Sequence, residues 1–193
     1  MKINILSALM VSGLLLGGCG KDSKEAAKEV NEKKIDQQAT AISDDAKSDA
    51  KEVADNVVEL FSMGMTEYEL SKIALQKATN PEVRSYAQRA MNEHQQNEKQ
   101  LRDMARTMNI TLPATMAKDG KDRIEDLQDE KPGTAFDLQY LKEMNTVNDK
   151  ATDTADDLAD NAPNETVKTF ARKLEEGDKK HRDQAKQMRN ALN

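Results

Sequence analysis

Two segments of this chain carry the same apolar stripe, and both stripes are interrupted at the same place. One comprises Val83, Ala87, Ala90, His94, Asn97, Leu101, Met104 and Met108. The other comprises Val167, Ala171, Leu174, Asp178, His181, Ala185, Met188 and Leu192. Alternating steps of four and three residues keep each set on one face of an α-helix. An offset of 84 residues superimposes the two sets. In each, two adjacent positions are polar, His94 with Asn97 and Asp178 with His181, and the chain's only two histidines fall in these gaps. A helix that turns such a face to a core buries those groups, and they then need hydrogen bonds or a metal ion.

Punctuation residues divide the rest into two helix pairs. A first helix runs from about Lys51 to Ala78, with Leu60, Met63, Glu67, Leu70 and Ala74 on its core face. Asn80-Pro81 reads as an N-cap followed by proline at the first helical position, which opens a second helix running to about Met108. The segment 109–133 contains Pro113, Gly120 and Pro132-Gly133; its length predicts a crossover, with Ile124 and Leu127 docking one short helical piece. Thr134 reads as the cap of a third helix, with Asp137 as its capping-box partner. That helix carries Leu141, Met144, Asn148, Ala151, Ala155, Leu158 and Ala162 and stops at Pro163. Asn164 caps a fourth, from Glu165 to near the end. Each helix spans roughly 25 residues, ~37 Å at about 1.5 Å per residue. Only 3% of residues are aromatic, none is Trp, and 33% are charged, a composition that favours helices over sheets. The expected fold is all-α, a ferritin-like four-helix bundle of two repeated helix pairs over residues 53–193.

The N-terminus reads differently. Residues 1–18 have Lys2 followed by a short apolar run that ends in small residues, the pattern of a secretory signal. Leu16-Gly17-Gly18-Cys19 resembles the bacterial lipobox, which implies cleavage before Cys19 and lipid attachment to it. Several acyl chains at one site give stable membrane anchoring, at ~0.8 kcal/mol per buried methylene. By resemblance to the Gram-negative sorting rule, Gly20 in place of Asp implies sorting to the outer membrane rather than the inner, facing the periplasm. Cys19 is the single cysteine, so a lipidated chain has neither a disulfide nor a thiolate metal ligand. Residues 19–52, rich in Lys, Glu, Asp, Ala and Ser, read as a charged tether, or alternatively as an N-terminal extension of the next helix. The net charge of −6, without basic runs, argues against nucleic acid. The implied partner is the membrane, through the lipid; no protein partner is specified.

All four stripes break near mid-length, so in an antiparallel bundle the polar positions should meet at one level. Glu67, His94, Asp178 and His181 then offer two carboxylates and two imidazoles, a donor set for one divalent ion such as Zn, Fe or Cu. Asn97 and Asn148 would support it from the polar core. The same residues can instead close a metal-free hydrogen-bonded network that fixes register. Met63, Met91 and Met144 raise a copper variant, although methionine also fills helical cores without any ligand role. Nucleophilic catalysis lacks its parts, and no phosphate loop or dinucleotide fingerprint occurs. An oxidase or peroxidase would need more carboxylates than the stripes provide. A non-catalytic binding or envelope-associated role is expected.

The stretch TEYELSKIALQKATNPEVRSYAQRAMNEHQQNEKQLRDMARTMNITLP, the continuation FDLQYLKEMNTVNDKA and the closing VKTFARKLEEGDKKH resemble a bacterial exported family catalogued as domain of unknown function 4142. The likeness covers about residues 54–192 and implies a ferritin-like fold. The family pattern has histidines at the positions of His94 and His181, and usually a third where this chain has Asn148. The resemblance thus implies one imidazole fewer than the family pattern, and it carries no established biochemical role.

Overall fold

The structure, a computed structural model, describes residues 21–38 and 43–193. The leader over 1–18 and Cys19 lie outside the described residues. Six helices make up the described chain: α1 (Ser23–Gln38), α2 (Asp44–Lys77), α3 (Pro81–Thr107), α4 (Lys118–Asp129), α5 (Thr134–Asp160) and α6 (Glu165–Leu192). Helices α2, α3, α5 and α6 are the four expected from the stripes. They pack as two antiparallel pairs, α2 with α3 and α5 with α6, joined mainly across the α2–α5 face.

Local chemistry sets most of the boundaries. The Asn80 side chain accepts hydrogen bonds from the amides of Glu82 (2.8 Å) and Val83 (3.2 Å), and that of Asn164 accepts from Val167 (3.0 Å). Helix α3 ends where Asn109 takes a left-handed conformation (φ 56°), which Asn tolerates, and the Ile110 amide turns back to the Ala105 carbonyl. The connection to α5 is a crossover, as the sequence predicts, with α4 as its one helical piece. Leu127 is fully buried and Ile124 packs against the same cluster. Gly120 of α4 lies so close to Thr66 and Met116 that a β-carbon would collide with both.

Two expectations need correction. Helix α5 begins at Thr134, but its N-cap is Gly133, at φ 150°, with no side-chain capping bond. Asp137 does not reach back to its own helix start. It accepts from the Thr79 amide (3.0 Å), the Thr79 hydroxyl (2.7 Å) and the Asn80 amide (2.9 Å), closing the α2–α3 joint. These bonds also place the start of α5 beside the end of α2. The second correction concerns 19–52, where the tether reading fails over the described part and the alternative, an N-terminal extension of the next helix, holds from Asp44 onward. Helix α1 lies against α2 and buries Ala27 and Asn31, and α2 starts at Asp44 behind the Ser43 cap rather than at Lys51. The packed body therefore extends N-terminal to residue 53.

The core falls into two clusters along the bundle axis. One gathers Val57, Leu60, Phe61, Leu101, Leu158 and Leu174 with their neighbours; the other gathers Leu70, Tyr86, Phe136, Tyr140, Leu141 and Met144 with theirs. At about 1.5–3 kcal/mol for each large apolar side chain buried, these clusters can offset a costly polar layer between them.

Candidate metal centre

That layer is where the stripes break. Glu67 lies on α2 between Met63 and Leu70, Asn148 on α5 between Met144 and Ala151, His94 on α3, and Asp178 and His181 on α6. All five are at most 5% exposed. Each stands one helical turn from buried apolar neighbours, so the packing of those neighbours carries the polar side chains inward with them. Asn97 is half-buried at the edge of the layer.

Three of the four expected ligands converge. Glu67, His94 and Asp178 each offer a donor atom within 4.8 Å of the other two. A cavity of about 20 Å³ adjoins them, with Asn97 and Gly64 also on its wall. That is room for one ion or one water molecule. His181 stands just outside the triad. Its ring lies 5.4 Å from that of His94, centroid to centroid, and its Nε2 is 2.7 Å from a carboxylate oxygen of Glu93. The fourth expected ligand is therefore engaged elsewhere. No methionine lines the cavity beside these three residues.

Burial sets the protonation states. Removal from water pushes the Glu67 carboxyl well above the usual range, and the nearby Asp178 charge pushes it further, weakly opposed by the Asn148 amide. Desolvation, with the charge of Glu93, raises Asp178 to about 7. Desolvation, with His181 nearby, lowers His94 to about 3. His181 is lowered by burial against the opposing pull of Glu93. His94 Nδ1 lies 3.2 Å from Glu67 Oε2, and burial disfavours the charged form of both groups.

Four side-chain atoms of the layer have no hydrogen-bond partner: Glu67 Oε1, His94 Nε2, Asn148 Oδ1 and His181 Nδ1. Such groups each cost about 1–3 kcal/mol when left unmatched in a core. A divalent cation would ionise and neutralise the two carboxylates together and take the imidazole nitrogen as it stands, already unprotonated near neutral pH. One nitrogen and two oxygens suit a borderline transition metal such as Zn, Fe or Cu.

Two features escaped the sequence reading. Glu93 sits next to His94 but off the stripe, and only the position of α6 gives it a partner. Tyr86 packs edge-on to the His181 ring, at 5.6 Å, and its hydroxyl donates to the His181 carbonyl at 3.2 Å. No pattern in the sequence joins those two positions.

The family described as Domain of unknown function (DUF4142) matches residues 26–188. The chain belongs to this family. The match begins within α1, in keeping with the docking of that helix. No curated protein matches. Among solved structures, the chain resembles the crystal structure of a DUF305 fragment from Deinococcus radiodurans, with a TM-score of 0.64 at 14% identity. The likeness covers 72% of this chain and 96% of that one. At that identity it shows the fold alone: an all-α, ferritin-like bundle.

Proposed function

We propose that the bundle binds one divalent transition-metal ion through Glu67, His94 and Asp178, as a non-catalytic binding protein of the cell envelope. Lipid on Cys19 anchors it to the outer membrane, on the periplasmic side. The observation that carries the metal assignment is a fully buried carboxylate–imidazole–carboxylate cluster whose Glu67 Oε1 and His94 Nε2 have no partner. The Leu16-Gly17-Gly18-Cys19 string, followed by Gly20, supports the anchoring. No helix among the described residues is long and apolar enough to cross a membrane.

The test is equilibrium loading of the full chain in detergent with Zn, Cu and Fe separately. One equivalent per chain is expected for at least one metal, lost in Glu67→Gln with Asp178→Asn while the helical circular dichroism persists. Sub-stoichiometric binding that this double variant leaves unchanged rejects the assignment. Palmitate labelling that disappears in Cys19→Ser supports the anchor; an unlabelled wild-type chain refutes it.

A second reading has its own support. The Asn148 amide donates to the Met144 carbonyl at 2.7 Å, and His181 pairs with Glu93, so part of the layer is already a hydrogen-bonded network. A purely structural layer predicts a melting temperature indifferent to added metal or chelator.

A further inference from the structure

The metal reading, on which this inference rests, leaves open how an ion crosses an apolar shell to reach the triad. An unligated cation cannot do so, because transfer of a bare charge into a core is prohibitive. It must pass from donor to donor. We infer that Glu93 and His181 are those donors: a relay that takes a divalent transition-metal ion from the α3–α6 surface and delivers it to Glu67, His94 and Asp178.

The Glu93 side chain is 44% exposed, while the residue it holds, His181, is 3% exposed. One carboxylate therefore faces water and grips a buried imidazole. The other nitrogen of that imidazole, Nδ1, has no partner. Its ring lies beside that of His94, tilted by 35°. Oxygen, nitrogen and the triad thus follow one another from solvent inward. Above the pair, a groove of about 340 Å³ runs between α3 and α6, bordered by Glu82, Arg89, Gln184 and Gln187. Arg89 and Gln184 stand about one helical turn along α3 and α6 from Glu93 and His181 respectively, so the groove lies beside the relay on the same seam.

The cavity beside the triad offers a competing approach past Asn97 and Glu98. A cation guards that side: the Arg102 guanidinium lies 4.5 Å over the Phe61 ring and pairs with Glu98 at 2.8 Å. Arg89 and Lys180 also flank His181. Glu93 is the carboxylate that offsets their charge at His181. Hard ions such as Mg²⁺ gain little from the imidazole step, which restricts the relay to metals that accept both oxygen and nitrogen.

The test is stopped-flow uptake of CoCl₂ by the full chain, followed by its visible absorption, with release into excess EDTA. Glu93 is half-exposed, so Glu93→Gln leaves the core intact. Uptake is expected to slow about tenfold, as for loss of a steering charge, and release to slow in proportion. Stoichiometry and the cobalt spectrum stay as in the wild type. Unchanged rates with full loading overturn the relay and leave the metal site standing. His181→Gln that alters the cobalt spectrum or abolishes loading makes His181 a resident ligand and also overturns it. A wild-type chain that takes up no cobalt, nor Zn, Cu or Fe, removes both the relay and the metal site.

Discussion

Glu67, His94 and Asp178 share a pocket in which burial favours the neutral form of each, and this gives the metal-free protein a pH signature. Asp178 has its carboxyl raised from 3.8 to about 7, so its contribution to stability is complete below the unfolded value and is lost as pH rises through 7. Glu67, also raised, acts in the same direction. His94 is lowered from 6.5 to about 3, so its contribution is complete above 6.5 and is lost as pH falls through 3. Between about pH 4 and 6.5 the carboxyls and the imidazole oppose each other. Above 6.5 only the carboxyls still titrate. The melting temperature of the metal-free chain should therefore fall from pH 6.5 to 8.5, more gently in Asp178→Asn, and saturating Zn²⁺ should remove the decline. A decline of equal size in that variant would mean that Asp178 is not the buried acid.

Helices meet here through small residues at defined points, and two glycines separate packing from drift. Gly120 brings α4 against Thr66 of α2, where a methyl group has no space. Gly177, inside α6 next to Asp178, has nothing within 4 Å of where a β-carbon would lie. Gly120→Ala should cost about 1–3 kcal/mol, whereas Gly177→Ala should stabilise by about 1 kcal/mol as helix propensity improves. Urea denaturation of the two variants measures both, and equal effects would contradict this account of the α2–α4 contact. The helix starts at Asn80 and Asn164 were readable because capping is a local contact over two or three residues. Asp137 was misread for the opposite reason. Its spacing from Thr134 fits a local rule, but a joint 57 residues away in sequence offers it three donors.

Across the molecule as a whole, the polar layer splits the core in two, and α1 fastens the crossover on the outside. Asn31 donates to the Thr111 carbonyl at 2.9 Å and accepts from the Thr111 amide at 2.7 Å, so one side-chain amide pairs with the backbone as a neighbouring strand would. Ser23 accepts from the amides of Ala114 and Thr115, and Asp22 from that of Lys118. Asn31→Ala should cost about 2–3 kcal/mol, for two lost bonds and an exposed backbone pair, and should hasten proteolysis within 109–118. Metal stoichiometry should not change. Proteolysis at the wild-type rate would show that α1 does not hold the connection.

Periodicity told the four long helices, their order, the crossover and the level of the polar residues, because each follows from one face repeating every three or four positions and from caps acting over a single turn. That Glu67, His94 and Asp178 converge was also foreseeable, since stripes broken at mid-length must meet when their helices pack antiparallel. Which way each side chain turns within the layer was not. His181 shares the stripe of Asp178, yet it leans to Glu93 across the α3–α6 seam, a choice made by the relative placement of two helices 88 residues apart in sequence. The docking of α1 was equally hidden. Its residues are mostly polar, and what binds them is the face of α2, where Glu59 pairs with Lys24 and Lys28, together with the backbone of a distant connection, neither of which has a counterpart in any repeat along the chain.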